Sequence, residues 1–244
     1  MSFFAERKLD PLSNSLNKKD IYKTFNIKNY PFRKILEEIF DLDSLELLHS
    51  KIINIDNFNA DIGKDSDSNY HKKFYNEIKR VDSNLRKTWE LFINNEIRSH
   101  FSKEKSLIIQ KLPNIRIHIP DGLAIKRWHC DSDVDHKHPL GELNCVMPFT
   151  DMYDSNSLWR ESSQGKKDFK PFDLRFGELV YWDGNTCIHG NKINQTNITR
   201  VSFDFRIFFK DKYEEYISSS NKAFSTTATM GTKFLIGEYY KEIF

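Results

Sequence analysis

Eight side chains that can bind metal ions lie within eighteen positions of the sequence, RWHCDSDVDHKHPLGELN at 127–144. They are three histidines, three aspartates, one glutamate and one cysteine. Imidazole, carboxylate and thiolate groups are the side-chain ligands that proteins use for divalent metals. The stretch therefore predicts a metal site, and the spacing of the candidate ligands indicates which of them take part.

A calcium loop is one alternative, because one acidic series matches the calcium-binding pattern. Loop positions 1, 3, 5 and 12 of that pattern are filled here by Asp131, Asp133, Asp135 and Glu142. However, the sixth position needs a glycine for its sharp turn and holds His136 instead, and the flanking segments resemble strands rather than helices. Calcium binding is therefore disfavoured.

A zinc site is a second alternative, with His129, Cys130, His136 and His138 as its ligands. Neighbours on a strand point to opposite faces, so residues 129 and 130 cannot easily bind one ion. A third alternative is a solvated polar loop, which is the favoured interpretation for any one of these side chains taken alone.

The pair His129 and Asp131 supports another kind of metal site. Residues i and i+2 of a strand share a face, so this imidazole and this carboxylate converge. They would supply two ligands of the two-histidine, one-carboxylate triad that suits non-haem Fe(II). The second histidine this triad requires is present as His189, which follows a strand bounded by glycine. Shortly after it, Arg200 and Ser202 are again i and i+2, so a guanidinium and a hydroxyl could bind one carboxylate together.

These motifs together resemble the Fe(II)/2-oxoglutarate-dependent dioxygenase superfamily, and residues 105–210 are similar to its phytanoyl-CoA hydroxylase-like branch. HPLGELN, NSLWRES, FGELVYWDGNTCIHGN and TRVSFDFR look most similar to bacterial oxygenases of carbohydrate and aminoglycoside biosynthetic clusters. The resemblance implies a double-stranded β-helix, or jelly roll, with Fe(II) as cofactor and 2-oxoglutarate and O2 as cosubstrates. It assigns the metal and the catalysis to three side chains, His129, Asp131 and His189.

The resemblance also implies that Arg200, helped by Ser202, binds the distal carboxylate of 2-oxoglutarate. Arg206 is the rival for this role, and the spacing from His189 favours Arg200. Because Asp131 is present, whereas related halogenases lack this carboxylate, halogenation is disfavoured. Asn144 is a further candidate for contact with the substrate or the cosubstrate, and Asn191 for contact with 2-oxoglutarate or for ordering the surroundings of the metal ligands.

Three side chains are candidates for contact with the substrate: Arg127, Trp159 and Glu161. Arg127 lies two residues before His129, although an exposed charge at the rim is equally compatible with its position. Ser157, Trp159 and Glu161 share a face of their predicted strand, and an aromatic ring beside a carboxylate suits a sugar, although Trp159 could equally fill the core. The roles of His136, His138 and Asp133 in the loop that follows are left open.

The apolar period changes from helical to alternating near residue 105. Before it, a helix is expected near residues 32–39, Asp43 followed by Glu46 predicts a capped second helix, and a stripe over 74–101 predicts one long helix or two broken near Asp82. After it, six short strands are expected: LIIQ, IRIHIP, ELNCVMPF, NSLWRES, ELVYWD and TRVSFDFRIFF. We therefore predict an α+β fold with a mainly helical region at 1–104, a jelly-roll core at 105–210 and a tail at 211–244 packed on that core.

Composition limits the partners. Lysine and arginine number 37 against 35 aspartates and glutamates, and a net charge of +2 is too small for a protein that binds nucleic acid through its phosphates. We find no secretory signal and no apolar stretch of membrane-spanning length, so a cytoplasmic protein without a membrane partner is expected. The three cysteines are expected to be reduced.

The leading hypothesis from the sequence is the hydroxylation of a small polar metabolite, such as a sugar, a nucleotide-sugar or an aminoglycoside-type compound. Desaturation, cyclisation or epimerisation at the same centre are alternatives, as is a non-catalytic jelly-roll module that binds carbohydrate. Arg200 and Ser202 favour an enzyme, because a binding module has no need of them at that distance from His189.

Overall fold

The computed structural model describes residues 20–52, 68–125, 127–219 and 231–244. Within these ranges, most strands belong to a seven-stranded antiparallel sheet of order β1-β7-β4-β9-β2-β10, in which β3 also pairs with β9. A smaller sheet has the order β6-β5-β8. The strands are β1 (Ile21–Thr24), β2 (Leu107–Gln110), β3 (Asn114–His118), β4 (Leu143–Pro148), β5 (Trp159–Arg160), β6 (Lys170–Pro171), β7 (Glu178–Trp182), β8 (His189–Gly190), β9 (Arg200–Phe209) and β10 (Tyr240–Ile243).

Strand β9 lies at the centre of the large sheet and separates an apolar face from a polar one. It pairs with β4 on one side and with β2 and β3 on the other. Four alternate residues join the core beneath the helices: Val201, Phe203, Phe205 and Ile207. Because side chains alternate along a strand, the other face carries Arg200, Ser202, Asp204 and Arg206.

Most of the helices cover the apolar face of the large sheet. They are α1 (Phe32–Phe40), α2 (Asn69–Lys79) and α3 (Asn84–Leu91), with a 3-10 helix at Leu45–Lys51, a π-helical segment at Phe92–Ile97 and a short helical turn at Arg98–His100. Helix α4 (Lys210–Ser219) instead packs on the opposite face, where Tyr213 contacts Phe208. Trp89 is fully buried and packs edge-on against Phe205, with ring centroids 5.0 Å apart. This packing fixes the sheet from outside and leaves its polar face to the site.

The break predicted near Asp82 is confirmed, since α2 ends at Lys79 and the Ser83 hydroxyl caps α3 by accepting a hydrogen bond from the Arg86 amide. The predicted cap at Asp43 is wrong. Ser44 precedes the 3-10 helix, and its hydroxyl donates to Glu46 Oε2 at 2.6 Å.

Five of the six predicted strands are confirmed, as is the α+β class, whereas only Trp159 and Arg160 of NSLWRES form a strand. The strands of the described ranges form two separate sheets, and their arrangement as a jelly roll stays a prediction. Strands β1 and β10 lie in segments predicted as helical region and tail, and they extend the large sheet at its two edges. In the described part of the chain, no helix has the length and the apolar character needed to cross a bilayer.

Candidate metal centre

Three side chains bring their ligand atoms together between the two sheets. Nε2 of His129 and Nε2 of His189 lie 3.6 and 3.7 Å from Oδ1 of Asp131. Among the described residues, this is the one group of three or more histidine, cysteine or acidic side chains whose ligand atoms converge, all within 4.8 Å. The structure therefore assembles the predicted triad and neither the calcium set nor the zinc set.

Backbone pairing places these three residues. His129 and His189 exchange two hydrogen bonds between their main chains, from amide to carbonyl, at 3.0 and 2.8 Å. The Asp131 amide donates to the Gly184 carbonyl at 3.0 Å, and the Asp131 carbonyl accepts from the His138 amide at 2.9 Å. The centre is thus fixed by main-chain contacts before any side chain is considered.

In each of the two histidines, Nδ1 points away from Asp131 and contacts a carbonyl oxygen. Nδ1 of His129 lies 2.8 Å from the Arg127 carbonyl, and Nδ1 of His189 lies 3.0 Å from the Cys187 carbonyl. Because a carbonyl only accepts, each Nδ1 must carry the proton, and each Nε2 presents a lone pair towards Asp131. This is the tautomer that a metal ligand requires.

Oδ2 of Asp131, the oxygen that does not face the histidines, is fixed by three hydrogen bonds. Oδ2 accepts hydrogen bonds from Asn144 Nδ2 at 2.7 Å and from Nε and Nη2 of Arg206 at 3.0 and 2.8 Å. Arg206 Nη1 in turn donates to Asp204 at 2.6 Å, and Asp204 accepts from Arg116 Nε at 2.6 Å. Arg206, weighed as a rival for the 2-oxoglutarate arginine, therefore pairs with a metal ligand instead.

The electrostatics of the centre suit metal binding. Burial, and then His189, lowers the pKa of His129 to about 4, and burial lowers the pKa of His189 as well. Burial acts to raise the pKa of Asp131, but Arg206 and then His138 outweigh it, so that this pKa lies well below its usual range. At neutral pH both imidazoles are neutral and the carboxylate is ionised, which is the form that binds a cation.

Arg200 and Ser202 lie together on the polar face, as predicted from their spacing. Both are buried, and Arg200 Nη1 donates to Ser202 Oγ at 2.7 Å while Nε donates to the Asn156 carbonyl at 3.1 Å. The same carbonyl lies 3.0 Å from Nδ1 of His118, whose pKa is lowered to about 3 by burial and then by Arg200. A neutral histidine therefore lies beside this guanidinium.

The two predicted asparagines are both buried, and each uses only its amide nitrogen. Asn144 Nδ2 binds Asp131, and Asn191 Nδ2 donates to the Ser157 carbonyl at 2.8 Å. Neither Oδ1 has a hydrogen-bond partner among the described residues. Asn144 is thus placed to orient the metal ligand, whereas Asn191 fixes the segment that follows His189.

The three substrate candidates lie in different surroundings. The Arg127 side chain is 71% exposed and pairs with Asp135, so the carbonyl of this residue, not its guanidinium, serves the centre. Trp159 is half-buried beneath the Lys192 ammonium, which lies 3.3 Å from the ring centroid. Glu161 is buried, and its carboxylate accepts hydrogen bonds from the amides of residues 165, 167 and 188.

The loop after Asp131 is ordered by two histidine–carboxylate contacts. His136 stacks on His129 with ring centroids 4.2 Å apart, and its Nδ1 lies 2.8 Å from Asp133. His138 Nδ1 lies 2.7 Å from the buried carboxylate of Glu142.

Three contributions were not predicted from the sequence. The Tyr240 hydroxyl donates a hydrogen bond to Oε1 of Glu142, so β10 is bonded to the loop that follows Asp131. Arg206 binds Asp131, a contact between distant segments that sequence spacing does not reveal. Gly184 packs against Asn144 more closely than any larger residue could.

The chain is similar to several known proteins. No protein-family model matches the chain. The chain is 26% identical over 219 residues to the streptomycin biosynthesis protein StrG of Streptomyces griseus, an alignment that covers 90% of this chain and 96% of that protein. Among solved structures, AviO1 from Streptomyces viridochromogenes Tue57 is 13% identical, with a TM-score of 0.47 and coverage of 79% of this chain and 90% of that one.

A second solved structure, CytC3 with Fe(II) and alpha-ketoglutarate, is 15% identical. Its TM-score is 0.44, with coverage of 79% of this chain and 74% of that one. Alpha-ketoglutarate is another name for 2-oxoglutarate.

Proposed function

We propose that this chain is a non-haem Fe(II)- and 2-oxoglutarate-dependent oxygenase that hydroxylates a small polar metabolite of sugar, nucleotide-sugar or aminoglycoside type. The observation that supports it is the centre itself. Two imidazole nitrogens and one carboxylate oxygen converge, and the outer atom of each group is bonded to the protein. Such a donor set fits Fe(II) and leaves coordination positions open for other ligands. The jelly-roll arrangement of the sheets and a cytoplasmic location belong to the same proposal.

When bound, Fe(II) with 2-oxoglutarate and dioxygen supplies the oxidation of a substrate C–H bond. The contribution of the chain is to hold the ion, orient the cosubstrate and exclude water. The ion would be held by His129, Asp131 and His189, and the distal carboxylate of 2-oxoglutarate by Arg200 with Ser202. The burial of Asp131, His189 and Arg200 supports the exclusion of water from both ends of such a cosubstrate.

The sugar-like substrate is supported by a sequence relative. The name of StrG connects that protein with the biosynthesis of streptomycin, and this supports an aminoglycoside-type substrate. Trp159 presents a partly exposed indole that suits a sugar ring. Contact of the substrate with Arg127, Trp159 or Glu161 stays a prediction.

Anaerobic difference spectroscopy tests the centre directly. With Fe(II) and 2-oxoglutarate added, we expect a visible charge-transfer band, which forms only when a 2-oxo acid chelates the metal. The band should disappear in His189→Ala and persist in the control His49→Gln, because His49 bonds to Thr199 and lies outside the triad. A wild-type protein without the band at millimolar 2-oxoglutarate would refute the function.

Substitution of Arg200 tests the cosubstrate assignment separately. In Arg200→Gln, the affinity for 2-oxoglutarate should fall by roughly tenfold to a hundredfold, as expected for the loss of a charge-assisted hydrogen bond worth about 1.5–3 kcal/mol. The affinity for the metal alone should stay within a few-fold of wild type. Equal loss of both affinities would contradict a specific role in binding the distal carboxylate. In air, uncoupled succinate release should be similar in the wild type and His49→Gln, lower in Arg200→Gln and lost in His189→Ala.

A further inference from the structure

Asp131 offers only one of its two oxygens to the centre. Oδ1 faces the two histidine nitrogens, whereas Oδ2 accepts three hydrogen bonds, two from Arg206 and one from Asn144. A carboxylate oxygen has about two lone-pair directions. An oxygen that already accepts from three donors has no remaining capacity for a metal ion.

Arg206 cannot easily move away from this contact. Its third donor, Nη1, binds Oδ1 of Asp204, which also accepts from Asn114 Nδ2 at 2.8 Å, and Oδ2 of Asp204 accepts from Arg116 Nε at 2.6 Å. Arg206 is also 95% buried. The guanidinium is therefore clamped between two carboxylates, with its Nε and Nη2 edge directed at Asp131.

We propose that Arg206, fixed in place by Asp204, is a positioning residue that restricts Asp131 to binding the metal through a single oxygen. The inference rests on the proposed function, because it concerns how many positions of the ion stay open. Three protein donor atoms leave three positions on a six-coordinate ion, enough for a bidentate 2-oxo acid and one further ligand. A carboxylate bound through both oxygens would leave only two.

The charges in this row of side chains support the same role. The positive charge of Arg206 balances that of Asp131, and Arg116 balances Asp204, so these four side chains add no net charge. A divalent ion at the centre would therefore keep its full charge, which favours a dianionic cosubstrate such as 2-oxoglutarate. Without Arg206, the net charge that attracts this cosubstrate would fall by one.

Cobalt(II) is a suitable probe, because its d–d absorption reports coordination number without any turnover. In Arg206→Gln, Oδ2 of Asp131 loses the two Arg206 donors and keeps the one from Asn144, which leaves a lone pair for the metal, so we expect a changed Co(II) spectrum. The affinity of the Co(II) protein for 2-oxoglutarate should fall roughly 10- to 100-fold, the usual effect of losing a residue that orients a metal ligand. Arg33→Gln is the matched control, since Arg33 makes a comparable two-bond pair with Glu46 outside the centre.

Arg206→Lys keeps the charge but not the two-donor edge. It should change the Co(II) spectrum as the glutamine variant does, with a smaller loss of 2-oxoglutarate affinity, and it decides the matter if Arg206→Gln does not fold. A wild-type spectrum and a wild-type 2-oxoglutarate affinity in the folded variant would overturn the inference. Failure of the wild-type protein itself to bind Co(II) and 2-oxoglutarate would instead refute the proposed function.

Discussion

Gly184 is the position where a single methyl group should disturb the metal centre most. A Cβ at this residue would lie 2.6 Å from Cγ and Nδ2 of Asn144 and 2.7 Å from Cη2 of Trp182. Ordinary contacts of a Cβ begin at about 3.4 Å, so each neighbour would have to move by most of an ångström. Asn144 cannot do so and keep its 2.7 Å hydrogen bond to Asp131.

The magnitude for Gly184→Ala follows from these contacts. Overpacking of a buried site costs about 1–3 kcal/mol of unfolding free energy. At roughly 2–4 °C per kcal/mol for a domain of this size, Tm should fall by about 2–12 °C. Since Asn144 orients a metal ligand, the affinity for Co(II) should also fall roughly 10- to 100-fold.

Thermal unfolding of the apo protein and titration with Co(II) measure these two effects. The matched control is Gly190→Ala, where the added Cβ would also meet a ring, that of Trp128, at 2.7 Å. Trp128 is 36% exposed and can move into solvent, so we expect a smaller loss of stability and a smaller loss of metal affinity. A Gly184→Ala protein with wild-type affinity for Co(II) would refute the view that the packing of Asn144 controls Asp131.

Three further outcomes are expected. Asp131→Ala should bind Co(II) weakly and recover affinity when formate is added, but not when formamide is added. The reason is that Asn144 and Arg206, the donors to Oδ2 of Asp131, remain in place to bind formate. Equal effects of both additives would argue against this. Tyr240→Phe leaves one oxygen of the buried Glu142 without its donor, so urea unfolding should show a loss of about 1–3 kcal/mol, and unchanged stability would mean that another donor replaces it. Burial, and then Lys23, lowers the pKa of His100 to about 4. Between about pH 6.5 and 4 only the unfolded chain binds this proton, so the free energy of unfolding should fall as the pH falls. His100→Gln should weaken that pH dependence in urea unfolding.

Two residues of the triad could be predicted because their signal is short-range, whereas His189 was predicted from the pattern of the whole motif. His129 and Asp131, like Arg200 and Ser202, depend only on the two-residue period of a strand, and the structure contains both pairs. Contacts between strands carry no such signal. Arg206 lies beside Asp131 because the register of β4 and β9 pairs Arg206 with Asn144, and sequence spacing alone does not fix a register.

Local irregularity explains where the substrate candidates differ from expectation. Strand β5 has only two residues, so the alternation that would place Glu161 beside Trp159 ends before Glu161. Arg127 is similar, since the pairing at His129 is an isolated bridge. Strands β1 and β10 were missed because IYKT and YKEI are short edge strands with a lysine, a pattern that periodicity does not separate from a helix.

The hydrogen bond between Tyr240 and Glu142 joins two segments that are synthesised at different times. Glu142 precedes its partner Tyr240 by 98 residues, and Asp131 precedes Arg206 by 75. At about 5–20 residues per second, the ribosome needs roughly 5–20 s to pass from Glu142 to Tyr240. His129 and Asp131 precede this interval, whereas His189 and Arg206 are synthesised within it and Tyr240 at its end. Under the proposed function, the metal ion would therefore be bound by the completed fold.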